Sequence, residues 1–118
     1  MPAFLLSVNK VLDDARFFAT YAKEVQPVTV KYGGKYRILA LKPTLLEGGA
    51  DAEGASVVII EWPNMEAALQ FWNSPEYQKV KKLREGISEV RAWLFEAPGW
   101  ILLDPGGGAE EPLAFLIR

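Results

Sequence analysis

The run Val57-Val58-Ile59-Ile60, followed at once by Glu61-Trp62-Pro63-Asn64, decides how this chain folds. Four β-branched residues in succession send apolar side chains to both faces of an extended backbone, which reads as a central strand. Asn64 then caps a helix in which Met65, Ala68, Leu69 and Trp72 recur on one face. Ser74-Pro75-Glu76 restarts a helix with cap, first-position proline and first-turn acid in the expected order, and Gly86 stops it.

Working outward, Phe4, Leu6 and Val8 alternate with Ala3, Leu5, Ser7 and Asn9, as in a strand with one strongly apolar face and one mixed face. Asp13 is placed to cap the next helix, with Asp14 in its first turn. Phe17, Phe18, Tyr21, Ala22 and Val25 form its apolar stripe, opposite Arg16, Thr20 and Lys23. Pro27 is expected to bend or interrupt this helix, Val28 to Tyr32 to continue it, and Gly33-Gly34 to end it. Lys35 to Leu41 reads as a second strand, Leu45 to Ser56 as a Gly/Ala-rich loop, and Ser88 to Glu96 as a fourth strand.

The order β-α-β-β-α-β predicts an α+β fold: a ferredoxin-like sandwich with an antiparallel four-stranded sheet and two helices on one face. Residues 1–97 make up this domain, and 98–118 form a C-terminal extension. The helix-free face is too apolar to stay wet, since Leu5, Trp93 and Phe95 or their alternates must lie on it. A second subunit's sheet would cover it, so a homodimer through sheet faces is expected. In the extension, Trp100-Ile101-Leu102-Leu103 and Leu113-Ala114-Phe115-Leu116-Ile117 flank Asp104-Pro105-Gly106-Gly107-Gly108. Those apolar arms predict a hairpin or arm docked on the domain or on the partner subunit.

Composition excludes several chemistries. The 118 residues suit one domain. A net charge of −2 does not favour a nucleic-acid partner. The chain has no histidine and no cysteine, which removes disulfides, thiolate chemistry, the commonest metal ligand and the usual general base. No Asp/Glu cluster points to a carboxylate-only metal site, so no cofactor is expected. Met1-Pro2-Ala3-Phe4-Leu5-Leu6-Ser7-Val8 lacks the basic start of a signal peptide, and no apolar run approaches a membrane span. A cytoplasmic protein is the expectation.

Lys31-Tyr32-Gly33-Gly34, Leu46-Glu47-Gly48, Glu61-Trp62-Pro63-Asn64 and Trp72-Asn73-Ser74-Pro75-Glu76-Tyr77 leading to Arg84 resemble the family of domain of unknown function 1330. The likeness spans roughly Ala3 to Ala97. It differs from the usual pattern at Trp62-Pro63-Asn64, where Phe-Pro-Ser is common, and in the loop after Glu47-Gly48. The resemblance implies a dimeric α/β-barrel, in which two ferredoxin-like sheets pack face to face. It implies no activity, because the superfamily holds cofactor-independent monooxygenases, lactone isomerases, haem-handling proteins and non-catalytic members.

Arg84 is the most informative single residue. It lies seven after Tyr77 and four after Val80, on the helical face expected to meet the sheet. A partly buried guanidinium needs acceptors, and Glu61 or Glu47 is the expected carboxylate. Such placement serves a structural ion pair, a snorkelling side chain or an anion site. Glu47, before the Gly-rich loop, reads either as a general base or as a polar turn residue. Tyr21, Tyr32, Trp62, Trp72 and Tyr77 read as core aromatics or as the lining of a small apolar pocket. Asn73 and Ser74 read as helix-break and cap residues.

Three functional readings follow. The first is a dimeric protein that binds a small organic molecule between sheet and helices, with Tyr32, Glu47, Trp72, Tyr77 and Arg84 as lining, and acts as a cofactor-independent enzyme if it is catalytic. The second is a non-catalytic interaction module that works through its dimer and C-terminal arm. The third is a tautomerase using Pro2, exposed by removal of Met1, as an N-terminal base. An enclosed polar–apolar pocket reached by Arg84 favours the first, a filled core the second, and a pocket opening at Pro2 the third.

Overall fold

The computed structural model describes residues 1–97, and the predicted C-terminal arm lies outside them. β1 (Ala3–Val11) and β3 (Ser56–Trp62) are the inner strands, and β2 (Lys35–Ala40) and β4 (Ser88–Glu96) flank them in the order β2-β3-β1-β4. Every neighbouring pair is antiparallel. The Val57–Ile60 run therefore does belong to an inner strand.

Period-two alternation divides each strand between two faces. Ala3 and Leu5 join Ile60 and Trp62 in the core, and Leu5 pairs with Ile60 and Leu94. The mixed face of β1 is thus the one covered by helices. Phe4, Leu6 and Val8, in register with Phe95, Trp93 and Arg91, occupy the opposite face. There Phe4 stacks on Phe95 at 5.9 Å, while Trp93 remains 51% and Phe95 40% exposed.

Asp13 caps α1 (Asp14–Ala19), accepting from the Arg16 N–H at 3.1 Å. The chain breaks at Thr20, not at Pro27 as the sequence led us to expect. Thr20 leaves helical geometry, and both its backbone N–H, at 3.1 Å, and its hydroxyl, at 2.7 Å, donate to the Arg16 carbonyl. α2 (Tyr21–Lys31) then runs through Pro27, which sits on the exposed side and forfeits only its own donor. The break also shifts the phase of the stripe, so Phe17 is buried and Phe18 exposed. At the end of α2, Gly33 adopts φ +93°, a conformation that favours glycine. Gly34 lies so close to Trp62 and Thr29 that a Cβ would stand 2.8 Å from Cη2 and 2.7 Å from Cγ2.

Asn64 caps α3 (Met65–Asn73), and Ser74 caps α4 (Pro75–Lys81). Buried Ser74 accepts from the Tyr77 N–H at 3.0 Å and donates to the Phe71 carbonyl at 2.7 Å, fixing the angle between the two helices. The buried stripe of α3 is Ala68 and Phe71, while Leu69 is exposed. Phe71 packs on Trp62 at 4.7 Å and on Tyr77 at 4.4 Å, and burial of each such ring contributes about 1.5–3 kcal/mol.

Candidate functional site

Helices α2, α3 and α4 roof the sheet, and the seam between the two layers is not filled by hydrocarbon alone. Tyr21 opens α2 and Tyr77 belongs to α4, and packing brings their hydroxyl oxygens to 3.3 Å. Arg84, in the short turn Lys82–Arg84 after α4, reaches back over them. Its Nη2 donates to Tyr77 Oη at 3.4 Å, and its guanidinium carbon lies 5.5 Å from the Tyr21 ring centre. Arg84 Nε is shut away from solvent without a hydrogen-bond partner among the described residues. Nearby, Tyr36 of β2 donates to Thr29 Oγ1 at 3.0 Å, and Thr29, fully buried, passes its own proton to the Val25 carbonyl.

Burial dominates the electrostatics of this cluster. It pushes the Tyr21 hydroxyl far above the ordinary tyrosine value, with the Tyr77 hydroxyl adding to the effect and the Arg84 charge opposing it. Burial also raises Tyr36, against the hydrogen bond to Thr29. Tyr21 and Tyr36 therefore remain protonated hydrogen-bond donors across the neutral range.

Beyond Tyr77 the seam becomes apolar. The Trp72 ring lies 5.0 Å from that of Tyr77 and forms one wall of a cleft of about 140 Å³. Leu5, Ala68, Leu69, Ala92, Trp93 and Leu94 complete the lining. An apolar cleft beside a few convergent polar groups is the usual character of a small-molecule site.

Of the five sequence candidates, the structure brings Trp72, Tyr77 and Arg84 into one chain of contacts. Tyr32 packs its ring edge-on against Phe71 at 6.3 Å and turns its hydroxyl to Glu76, donating at 2.8 Å beside the 2.6 Å Lys31–Glu76 ion pair. Glu47 lies in the exposed loop after β2.

The expected carboxylate partner of Arg84 is not found. Trp62 faces the core, so Glu61 projects from the opposite face, where it accepts from Arg37 Nε at 3.2 Å. Among the described residues Arg84 has no carboxylate within ion-pair distance. Sequence reasoning also passed over Thr29 and Tyr36. Their meeting depends on the pairing of Tyr36 with Ile60, a register that spacing alone does not supply. Pro2 precedes β1, where its carbonyl accepts from the Ala97 N–H at 3.2 Å, and it does not line the cleft.

Among the described residues no group of three or more acidic side chains could hold a metal ion, and no helix is long and apolar enough to cross a membrane. The model of the domain of unknown function 1330 (DUF1330) matches residues 2–98. This chain belongs to that family. No curated protein matches the DUF1330 chain in sequence. It is similar in structure to a protein of unknown function from Rhodopseudomonas palustris, with 22% identity, a TM-score of 0.70, and 81% and 82% of the two chains covered. A cofactor-independent oxygenase from Streptomyces nogalater matches with 16% identity, a TM-score of 0.62, and 85% and 96% coverage. Rv0793 from Mycobacterium tuberculosis matches with 17% identity, a TM-score of 0.59, and 86% and 100% coverage. At these identities the likeness establishes that the DUF1330 chain shares their fold, and chemistry has to be argued from its own residues.

Proposed function

We propose that this protein binds a small organic molecule in the seam between sheet and helices, as a homodimer assembled through its helix-free sheet faces. The observation that supports this most is the pairing of an apolar cleft with an aromatic and cationic cluster across Trp72 and Tyr77. A seam serving only to hold the layers together would not require an inward-reaching arginine, since leaving buried donors unmatched costs about 1–3 kcal/mol apiece. The exposed Trp93 and Phe95 support the dimer, and the similar fold of a cofactor-independent oxygenase makes cofactor-free chemistry on such a ligand a coherent extension. With no histidine or cysteine, any such reaction would depend on the ligand's own acidity and on placement by the tyrosines and Arg84.

Native mass spectrometry of protein purified without additions tests this reading. A dimer carrying a small organic molecule is expected, and Ala92→Phe, which fills the cleft, should release the molecule. A chain that never retains or takes up a small organic molecule, with a fluorescent apolar probe indifferent to Ala92→Phe, would refute it.

A further inference from the structure

The hydrogen-bond inventory at Arg84 does not balance. Two phenol groups, Tyr21 and Tyr77, bring two hydroxyl protons to this spot. Only one proton can occupy the 3.3 Å link between their oxygens. Whichever hydroxyl donates along that link, the other proton has no acceptor among the described residues. Arg84 adds Nε–H, also without an acceptor, and spends one Nη2–H on a long bond to Tyr77. Nearby Tyr36 and Thr29 make no hydrogen bond to this cluster: Tyr36 donates to Thr29, and Thr29 to the Val25 carbonyl. The site therefore presents several donors and a full positive charge, in a half-buried setting, with no carboxylate within ion-pair distance among the described residues.

Partly buried guanidinium groups are matched by anions, and charge-assisted hydrogen bonds are about twice as strong as neutral ones. From this imbalance we infer that Arg84, with the Tyr21 and Tyr77 hydroxyls, receives the ionised acidic group of the ligand. The ligand is a small aromatic or conjugated acid, either a phenolate, an enolate or a carboxylate, with its apolar body on the Trp72 side of the seam. This inference rests on the seam being a ligand site and adds the charge and class of what it holds. A phenolate or enolate is the chemically consequential case. Stabilising the anion next to Arg84 lowers the ligand's own pKa, so the proton leaves to solvent on binding without a protein base.

The test uses the full chain and para-nitrophenol, whose anion absorbs visible light and whose neutral form does not. Para-nitroanisole, which cannot ionise, serves as the matched neutral probe. The wild-type protein should raise the anion fraction at a pH below the probe's solution pKa, binding anion about tenfold or more tightly than phenol, equivalent to about one pKa unit. Arg84→Gln should lose that preference by about ten- to a hundredfold while still binding para-nitroanisole. Tyr21→Phe, a milder change should the arginine variant unfold, should lose part of it.

Equal binding of both probes with no rise in the anion would overturn the acid inference and leave the ligand site standing. Binding of neither probe would count against the ligand site itself. An anion preference that survives Arg84→Gln in a folded protein would also overturn the assignment.

Discussion

Tyr21 and Tyr77 stand 56 residues apart in sequence, yet their hydroxyl oxygens lie 3.3 Å from one another with Arg84 on the same pair. Tyr77 is the hinge of this arrangement, since it touches Arg84, Tyr21, Phe71 and Trp72. Tyr77→Phe should cost about 1–3 kcal/mol, because it strips the acceptor from Arg84 and the partner from Tyr21 together. Tyr21→Phe should cost about 1 kcal/mol or less. The double variant should be less damaging than the sum, because both changes remove the same link. Urea unfolding of the four proteins gives the coupling, and strict additivity would show the link to be energetically idle.

Gly34→Ala should destabilise the fold by about 1–3 kcal/mol through overpacking. Its new methyl would meet the Trp62 ring and the Thr29 methyl, both held rigidly in the core. Gly86→Ala meets no atom within 4 Å and should cost about 1–2 kcal/mol through its φ of +77° alone. A structure of Gly34→Ala should show the Trp62 indole displaced, and an unmoved ring with unchanged stability would contradict the packing argument.

The Lys31–Glu76–Tyr32 group ties the end of α2 to α4 in a pH-dependent way. The hydrogen bond from Lys31, then that from Tyr32, holds the Glu76 carboxyl below its ordinary value, and Glu76 in turn raises Lys31. A lowered carboxyl contributes stability above its unfolded pKa and loses it as pH falls through the folded value. A raised ammonium contributes below its unfolded pKa and loses it as pH rises through the folded one. The destabilisation caused by Glu76→Gln should therefore be largest at neutral pH and shrink in acid and in strong alkali. It should also shrink with salt, because the pair is exposed. Urea midpoints across pH measure this, and a gap that persists in acid would rule the account out.

Phe95→Lys should turn the proposed dimer into a monomer, since Phe95 is 40% exposed, stands in register with Phe4 on the face opposite the helices and does not line the cleft. Analytical ultracentrifugation decides it. A wild-type monomer, or a variant dimer of unchanged affinity, would exclude the sheet face as the interface.

Much of the architecture was legible because it is written in local patterns. The caps at Asp13, Asn64 and Ser74, the stop at Gly33, and the inner-strand character of Val57–Ile60 each depend on a few adjacent residues and their own backbone chemistry. Reading failed where two local signals competed. Pro27 is the stronger helix breaker by propensity, but α2 tolerates it on its exposed side, whereas the backbone leaves helical geometry at Thr20, whose N–H and hydroxyl both close on the Arg16 carbonyl. Phe71 escaped notice for a related reason: the stripe of α3 is centred one position away from the face its flanking residues outline.

The amino-acid order by itself determined the succession of elements, the absence of histidine and cysteine chemistry, and the inward face that carries Tyr77, because those properties are periodic or compositional. Arg84, expected on that same helical face, comes instead from the turn Lys82–Arg84 beyond the end of α4. Which groups meet was decided only by the tertiary structure. Strand parity turned Glu61 away from Arg84 toward Arg37, and helix packing set two phenols from distant segments in the place expected for a carboxylate. A partner across the seam depends on register and helix angle, and both are settled by packing of the whole core, not by spacing within any one segment.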